Sequence, residues 1–255
     1  VGYLREQYAA SFRLICESIN FARSSCYYKS KKDDSELEAK LTELARDLPA
    51  RGFDEYYGRI RLQGLPWNRK RVLRVYRKLG LVKRRPVKRR IPKGKAKELV
   101  EVEYPHNTYS MDFMSDRLED GRQLNVFNVI DDFNRQLLHC SGANSFPTSR
   151  VIRALEQIKD EIGQRPKKIR VDNGPEFRAH AFADYCAKHS IEILYIQPGK
   201  PTQNAYIERF NRHFREDVLD AYLFESYEQF NIFADKFGYD FNHNHPHDAN
   251  GGLPP

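Results

Sequence analysis

Residues 167–177 have the sequence KKIRVDNGPEF, in which an apolar strand signal runs directly into a turn. Ile169 and Val171 alternate with basic residues, which predicts a short strand. Asp172 follows at its end, and Asn-Gly-Pro then turns the chain sharply. A carboxylate at the end of a strand lies at the edge of a sheet. Asp172 therefore either begins the turn, its commoner role in isolation, or holds a ligand together with acids from elsewhere.

Length and composition limit the classes of protein to consider. The 255 residues carry a net charge of +8 and are enough for more than one domain. No apolar run approaches the roughly 20 residues that cross a bilayer, and the first residues lack the pattern of a signal peptide. Because the chain begins with Val, we expect a fragment or the downstream half of a longer product. Four cysteines without a CxxC pair predict reduced thiols in a cytosolic protein and no zinc site.

The positive charge is concentrated between residues 68 and 97. This segment contains 15 Lys and Arg residues and no Asp or Glu, so the rest of the chain is acidic overall. A block of one sign predicts contact with a polyanion, above all nucleic acid. A solvated linker rich in Lys and Arg is the alternative, but ordinary solvated surfaces mix the two signs.

Residues 1–81 have the pattern of a helical, DNA-binding region. The predicted helices are residues 1 to about 30, 32–48, 54–62 and 69–79. Asn68 is a suitable N-cap for the last helix, which is basic and amphipathic, and Gly80 ends it. Short helices in this order suit a helix-turn-helix that enters a DNA groove, although similar helices also pack in domains that bind no DNA.

Residues 82–103 are predicted to form an extended basic linker. Pro86 and Pro92 prevent a continuous helix, and the apolar content is too low for a core. Such a segment can follow DNA phosphates with an affinity that falls steeply with salt. The predicted DNA contacts of the last helix and the linker are Arg69, Lys70, Arg71, Arg74, Arg77, Lys78, Lys83, Arg84, Arg85, Lys88, Arg89 and Arg90.

Residues 104–255 have the pattern of an α/β domain. Three strands are expected first, at 108–114, 124–130 and 135–140. Alternating helices and strands follow, at 148–162, 169–171, 179–188, 191–195, from about 203, and at 227–242. This order predicts a mixed sheet with helices packed on its faces, preceded by the small all-α region.

Three acids in this domain can meet although they are distant in sequence. Asp112 lies in the first predicted strand, Asp172 ends the fourth, and Glu208 lies inside a late helix. If the first and fourth strands are neighbours, two carboxylates meet at one edge and a crossing helix can add the third. Such carboxylates repel one another unless cations hold them, and all-oxygen ligation suits Mg²⁺ or Mn²⁺. Two such ions roughly 4 Å apart can activate water and stabilise the leaving oxygen of a phosphodiester.

The motifs around these acids resemble a known family. YSMDFM, VDNGPEF and GKPTQNAYIERFNRHFRED are similar to the catalytic core of the retroviral-integrase superfamily, and most similar to the DDE transposases of the IS3 family of bacterial insertion sequences. The 35 residues between Asp172 and Glu208 equal the spacing by which that family is described. The similarity extends upstream to INFARSSCYYKS and GLPWNRKRVLRVYRKLGL and downstream to NHNHPHDANGGLPP, so it covers nearly the whole chain.

The resemblance implies an RNase H-like catalytic core and a DNA transposase. It implies that Asp112, Asp172 and Glu208 are catalytic and bind two Mg²⁺ or Mn²⁺ ions. The implied reaction cuts the ends of the element and transfers the 3′-hydroxyl to another phosphodiester. The implied partners are terminal inverted repeats and target DNA, bound by a dimer or higher homo-oligomer on paired ends, in the bacterial cytoplasm at the nucleoid. Further DNA contacts are implied for Lys200, Gln203, Asn204, Arg212 and Arg215.

Some features depart from the family or have ordinary alternatives. The family's closing motif usually has Arg where this chain has His245. Glu176 is expected to be structural, and Asp131 and Asp132 to form a hairpin turn. The histidines of residues 243–247 lie among Asn and Pro, which predicts a flexible or DNA-proximal segment rather than a metal tract.

Two other functions share part of this pattern. A nuclease of RNase H type would have the same acids and fold, but it gives no reason for the basic helical half. A DNA-binding regulator would keep that half without needing three acids at this spacing. Joined DNA products would separate a transposase from both.

Overall fold

The amino-terminal part of the chain is helical and the rest is a mixed α/β structure. The structure, a computed structural model, describes residues 2–8, 11–27, 33–83, 102, 104–197 and 204–255. Its first elements are α1 (Gly2–Tyr8), α2 (Phe12–Ser18), α3 (Arg23–Tyr27), α4 (Ser35–Asp47), α5 (Phe53–Leu62) and α6 (Arg69–Lys78). Among the described helices, none is both long enough and apolar enough to span a bilayer.

Strands and helices then alternate through the second part. The strands are β1 (Thr108–Arg117), β2 (Gln123–Asp131), β3 (Leu137–Ala143), β4 (Lys168–Val171) and β5 (Glu192–Tyr195). The helices are α7 (Thr148–Ile162), α8 (Pro175–Arg178), α9 (His180–Lys188), α10 (Ala205–Phe214) and α11 (Tyr227–His243). A π-helical turn, Arg215–Leu219, extends α10.

The strands form one sheet in the order β3–β2–β1–β4–β5. β2 is antiparallel to β1 and β3, whereas β4 is parallel to β1 and β5 to β4. Antiparallel neighbours are joined by short turns and parallel neighbours by helical crossovers. This mixed order with helices on both faces is the RNase H-like fold that the sequence predicts.

Alternating side chains along the strands face two apolar cores. On one face, Tyr109 and Met111 of β1 belong to a core with residues of α7, α8 and α9. On the opposite face, Met114 of β1 belongs to a core with residues of α10 and α11. Phe210 and Phe214 lie four residues apart on α10 and are buried there, which anchors this helix to the sheet.

By its internal contacts the chain divides into two compact units, residues 1–40 and 41–255. α5 and α6 therefore belong to the same unit as the sheet. Most of the predicted linker, 82–103, lies outside the described residues. The predicted division into 1–81, 82–103 and 104–255 stays a prediction.

Two buried arginines join the α5 region to the carboxyl-terminal helices. Arg59 of α5 donates two hydrogen bonds to Asp240 of α11, Nη1 to Oδ1 at 2.8 Å and Nη2 to Oδ2 at 2.6 Å. Arg51 pairs with Asp217 and donates to the backbone oxygen of His213 at 3.1 Å. Each arginine is only 8% exposed. Because a buried charge that loses its partner is strongly destabilising, these pairs hold α5 against the sheet domain.

The first unit differs from the prediction of one helical stretch to about residue 30. The structure has the shorter helices α1, α2 and α3 instead. Ser11 begins α2, since its side chain accepts a hydrogen bond from the backbone N–H of Leu14 at 3.3 Å. Asn20 follows α2 with a φ of 50°, a left-handed conformation that ends a helix. Periodicity of apolar residues did not reveal these local breaks.

The close approach of α11 to β3 gives a testable prediction about stability. A Cβ added at Gly142 of β3 would overlap the ring of Phe230. We expect Gly142→Ala to destabilise the fold by about 1–3 kcal/mol, the usual cost of overpacking. For a chain of this size each kcal/mol lowers Tm by about 2–4 °C, which thermal unfolding followed by circular dichroism measures.

Gly52→Ala is the matched control for this experiment. Gly52 has a φ of −115°, and a Cβ added there meets no atom within 4 Å. Gly52 is the N-cap of α5, where Ala is less favourable than Gly, so we expect a loss of Tm that is smaller than that of Gly142→Ala. Equal Tm values for the two variants would contradict the tight packing of α11 on β3.

Candidate active site

The pairing of β1 with β4 brings Asp112 and Asp172 to the same end of two neighbouring strands. Ser110 of β1 lies opposite Arg170 of β4 in this parallel pair. Two residues further along the same register, Asp112 is level with Asp172, just after the last residue of β4. The sequence prediction that the first and fourth strands are neighbours is confirmed.

Asp172 does begin the turn after β4. Its Oδ1 accepts a hydrogen bond from the backbone N–H of Gly174 at 2.9 Å. Asn173 Nδ2 donates to the backbone oxygen of Ile196 at 2.9 Å and so ties the turn to the end of β5. The second carboxylate oxygen of Asp172 takes no part in these two bonds. Beginning the turn and holding a ligand are therefore compatible roles.

Glu208 comes from α10, which packs across β1 and β2. Ile207 and Phe210, its neighbours on the helix, are buried in the core beneath it. Burial raises the pKa of Glu208 above its usual range, and the charge of Arg212, one turn later, opposes the rise. The carboxylate is thus partly removed from water at the edge of the sheet.

Asp112 lies in the most enclosed part of this edge. Burial, followed by the charges of Asp172 and Glu208, raises the pKa of Asp112 to about 6. Hydrogen bonds from the backbone N–H of Phe113 and from Asn211 oppose the rise. Asn211 Nδ2 lies 2.8 Å from Asp112 Oδ2. The three acids are close enough for their charges to act on one another.

The donor set of this site suits a hard divalent cation. Carboxylate oxygens are the ligands that Mg²⁺ and Mn²⁺ prefer, and the three acids supply a local excess of negative charge. The side chains are not gathered as a finished site. Within the described ranges, no group of three or more His, Cys, Asp and Glu residues is arranged so that it could hold a metal ion. Repulsion between like charges favours this separation, and a cation would oppose it.

The basic helix α6 presents its charges to solvent. Val72, Val75 and Tyr76 form its buried face, and Asn68 Oδ1 begins the helix by accepting from the backbone N–H of Lys70 at 2.9 Å, as predicted. Arg69, Lys70, Arg74, Arg77, Lys78 and, after the helix, Lys83 are exposed, whereas Arg71 is half-buried. Of the predicted DNA contacts, those outside the described residues are Arg84, Arg85, Lys88, Arg89, Arg90, Lys200 and Gln203.

The remaining predicted DNA contacts lie on or beside α10. Asn204 is buried at its start, with 2% of its surface exposed, and Arg212 is exposed. Arg215, at its end, is bound to β1: its guanidinium lies 3.3 Å from Asp116 Oδ2 and 3.2 Å from the backbone oxygen of Ser115. Arg215 therefore holds the end of α10 against the end of β1.

The sequence predicts that residues 243–247 are flexible or close to DNA; the structure corrects the first alternative, and the second stays a prediction. His245 is 7% exposed and stacks on Phe241, with ring centroids 5.1 Å apart. Its Nδ1 lies 3.0 Å from Glu55 Oε1 of α5. His247 packs edge-on against the same Phe241 ring, and burial lowers the pKa of His247 to about 3. Asn and Pro predicted turns here, but no pattern in the segment indicated that these rings would pack inside.

Asp131 and Asp132 form the turn after β2, as predicted. Asp131 Oδ1 accepts from the backbone N–H of Phe133 at 2.8 Å. Asp132 is buried, pairs with Arg170 of β4 and accepts from Ser110 Oγ at 2.5 Å. These acids therefore join the turn to β1 and β4. Their environment differs from that of Asp112, which is repelled by the charges of Asp172 and Glu208, whereas Asp132 is paired with the cation Arg170.

Sequence reasoning missed two residues beside the acids. Asn211 lies three residues after Glu208, and helical spacing alone could have placed it on the adjacent turn of α10. Asn128 lies directly opposite Asp112 in the β1–β2 pair. Only the register of that pair reveals Asn128, because no motif marks it.

Comparison with known proteins covers the whole chain. Two models described as integrase core domain match residues 103–201 and 189–255. The insertion element IS407 uncharacterized 31.7 kDa protein of Burkholderia multivorans is 32% identical over 99% of this chain and 91% of its own length. The insertion element IS476 uncharacterized 39.2 kDa protein of Xanthomonas euvesicatoria is 34% identical over 86% of this chain, which covers 63% of that protein.

The chain is also similar to solved structures at low sequence identity. The catalytic core domain of HTLV-2 integrase, in complex with magnesium, is 16% identical and has a TM-score of 0.45 over 61% of this chain and 96% of that chain. The matched integrase core segments include all three acids. With the near full-length similarity to insertion-element proteins, these matches show that the chain belongs to the insertion-sequence transposases of the retroviral integrase superfamily.

Proposed function

We propose that this chain cuts and joins DNA at the ends of an insertion sequence of the IS3 family, with Asp112, Asp172 and Glu208 as the catalytic acids. The observation that carries the proposal is their electrostatic coupling, which together with burial raises the pKa of Asp112 to about 6. Burying an acid where two other acids repel it destabilises a fold, so this arrangement indicates a functional site. Two Mg²⁺ or Mn²⁺ ions would neutralise the negative charge of the three carboxylates.

The proposed reaction is a pair of transesterification-type steps at one site. Two bound ions would lower the pKa of the attacking water or hydroxyl and stabilise the leaving oxygen. Asp112 and Asp172 would share the ions, and Glu208 would complete the ligands of one. Water would first break the P–O3′ bond at the end of the element, leaving a 3′-hydroxyl on one side of the break and a 5′-phosphate on the other. That hydroxyl would then attack the phosphorus of a second phosphodiester and displace its 3′-oxygen as a new 3′-hydroxyl. The rigid sheet edge holds the carboxylates in place, and no covalent bond to a side chain is needed.

The basic half of the chain would hold the DNA. The exposed charges of α6 and the predicted linker would bind phosphates, and α6 would enter a groove of the terminal inverted repeats. Arg212 and Arg215 would approach the cleaved end and the target DNA. Cutting and joining two ends together requires paired ends, so we propose a dimer or higher oligomer as the active form.

Two other functions predict different products. An RNase H-type nuclease would use the same acids but would cut without joining. A DNA-binding regulator would bind through α6 and would not change when one acid lost its charge. The repulsion of the half-buried Asp112 by Asp172 and Glu208 favours an enzyme over a regulator. The basic α6 favours a DNA-joining enzyme over a nuclease for RNA hybrids.

The catalytic role of the acids is tested by Asp172→Asn. The amide oxygen can still accept from the Gly174 N–H, so the turn should form while the charge is lost. We expect cutting and joining with Mg²⁺ to fall by about 1,000-fold, since metal-held charge contributes several kcal/mol to such transition states. DNA binding and Tm should stay near wild type. The assay incubates labelled element ends with Mg²⁺ or Mn²⁺ and maps nicks and joints.

Asp120→Asn is the matched control, because Asp120 is an exposed acid in the β1–β2 turn. We expect it to keep full activity. Full activity of Asp172→Asn would rule out the metal site. Nicks without joints from the wild-type protein would favour the nuclease instead.

The raised pKa of Asp112 predicts a pH-dependent stability in the absence of metal. With an ordinary pKa of 3.8 and a folded pKa of about 6, the folded chain binds this proton more tightly than the unfolded chain. Stability therefore falls as pH rises from about 4 to 6 and stays low above that. We expect metal-free Asp112→Asn to have a higher Tm than wild type at pH 8, and the difference to vanish near pH 4.

This experiment is done in chelator, with Asp120→Asn as the control for loss of one acidic charge. The pKa of Asp120 is lowered by its hydrogen bonds with Arg122, so its removal should not stabilise the fold at pH 8. A Tm gain for Asp112→Asn that is equal at pH 4 and pH 8 would show that burial of the Asp112 charge is not the cause.

DNA binding through α6 is tested by changing Lys70, Arg74 and Arg77 to Gln together. Removing each side chain that binds a phosphate should reduce the salt slope of log Kd by about 0.9, so we expect a slope smaller by about 2–3 and weaker binding at low salt. Fluorescence anisotropy between about 50 and 200 mM salt measures this slope. Arg153, Lys188 and Lys236, changed to Gln together, are the control because they remove the same charge from exposed sites on α7, α9 and α11. Equal salt slopes for the two triple variants would show that α6 is not the DNA-binding surface.

A further inference from the structure

Two asparagines form a chain of hydrogen bonds that ends on Asp112. Asn211 Nδ2 of α10 donates to Asp112 Oδ2 at 2.8 Å. Asn128 Nδ2 of β2 donates to Asn211 Oδ1 at the same distance, 2.8 Å. Asn128 is fully buried and Asn211 is 9% exposed. These two hydrogen bonds therefore connect the interior of the sheet to Asp112 through α10, the helix that carries Glu208.

The carboxylate fixes the direction of both bonds. An ionised Asp112 can only accept, so Asn211 must turn its amide nitrogen towards it. Its amide oxygen then faces Asn128, which must donate. The oxygen of Asn128 is left over, and indeed Asn128 Oδ1 is buried without a hydrogen-bond partner in the described part of the chain.

Packing alone does not account for an asparagine at this place. Asn128 lies between Val126 and Ile130 on the same face of β2, and both are buried in the apolar core with α10 and α11. An apolar residue would avoid the unpaired oxygen, since a buried polar group without a partner is unfavourable. Asn128 is therefore better explained by the hydrogen bond that its amide nitrogen donates to Asn211.

The position of Asn211 on α10 indicates what the two hydrogen bonds do. It lies on the turn after Glu208, so one helix both carries Glu208 and touches Asp112. With Asn128 holding the far side, the Asn211 amide cannot rotate without losing one of its two bonds. We propose that Asn211, held by Asn128, is a positioning residue that fixes the Asp112 carboxylate relative to Glu208 so that the two can share a divalent cation. This inference rests on the proposed function of the three acids.

The test measures metal binding and stability separately. Asn211→Leu has a similar volume and cannot donate. Partners of metal ligands of this kind contribute about 10–100-fold in metal affinity. We expect Mn²⁺ affinity, measured by calorimetry on the full chain without DNA, to fall at least about tenfold. The metal-free Tm should fall as well, because Asp112 and the buried Nδ2 of Asn128 each lose a hydrogen-bond partner. Asn211→Gln keeps an amide donor and should recover part of the affinity.

Asn231→Leu is the matched control on α11, which packs on the same face of the sheet. Asn231 bonds both the N–H and the oxygen of Gly142, at 2.7 and 3.2 Å, so its loss leaves backbone groups unpaired. We expect this variant to lose Tm and to keep Mn²⁺ affinity, whereas Asn211→Leu should lose affinity at a comparable loss of Tm. Asn128→Leu should lower the affinity less than Asn211→Leu does, and it serves as the second variant if Asn211→Leu does not fold.

The outcomes separate this inference from the proposed function. Wild-type Mn²⁺ affinity in both Asn211→Leu and Asn128→Leu would overturn the positioning role, provided that Asp112→Asn loses it. An equal loss in Asn231→Leu and Asn211→Leu, in proportion to Tm, would also overturn it, because the amides would then be purely structural. Undiminished Mn²⁺ binding and activity in Asp112→Asn would instead overturn the proposed metal site itself.

Discussion

The site depends on the parallel pairing of β1 with β4. Side chains alternate along a strand, so a shift of one residue in this register would send Asp112 or Asp172 to the opposite face. The register is held by more than its own backbone bonds. Asp132, in the turn after β2, bonds both Ser110 of β1 and Arg170 of β4, the pair that lies two residues before the acids. A buried ion pair therefore sets the strand alignment on which the neighbouring acids depend.

α10 is the second constraint, because it brings Glu208 to an edge that two strands have already made. It is fixed to β1 at two points. Asn211 bonds Asp112, and Arg215 bonds Ser115 and Asp116 one turn later. The apolar face of α10 packs on the sheet, but apolar contacts allow a helix to shift along the sheet more readily than hydrogen bonds do. Polar contacts with β1 therefore set the position of Glu208 along the strand.

The sequence predicts this architecture where a local pattern carries the information. Alternation marked β1 and β2, a capping Asn68 marked α6, and an acid before Asn-Gly-Pro marked the end of β4. The contacts that tune the site have no such pattern. Asn128 meets Asp112 through a hairpin register, and Arg59 meets Asp240 although 181 residues separate them. The sequence alone does not distinguish a charged or amide residue that makes such a contact from one that faces solvent, because the partner is distant in sequence.

His245, in the closing motif, makes a long-range contact that the sequence did not predict. The resembling family usually has Arg at this place. Here the imidazole lies flat on Phe241 and bonds Glu55, whose other partner is Arg59 at 2.8 Å. Burial raises the pKa of Glu55, but His245 and Arg59 outweigh it, so the net shift is downward and the carboxylate stays charged. The closing segment is therefore attached to α5 through the residue at which this chain departs from the family.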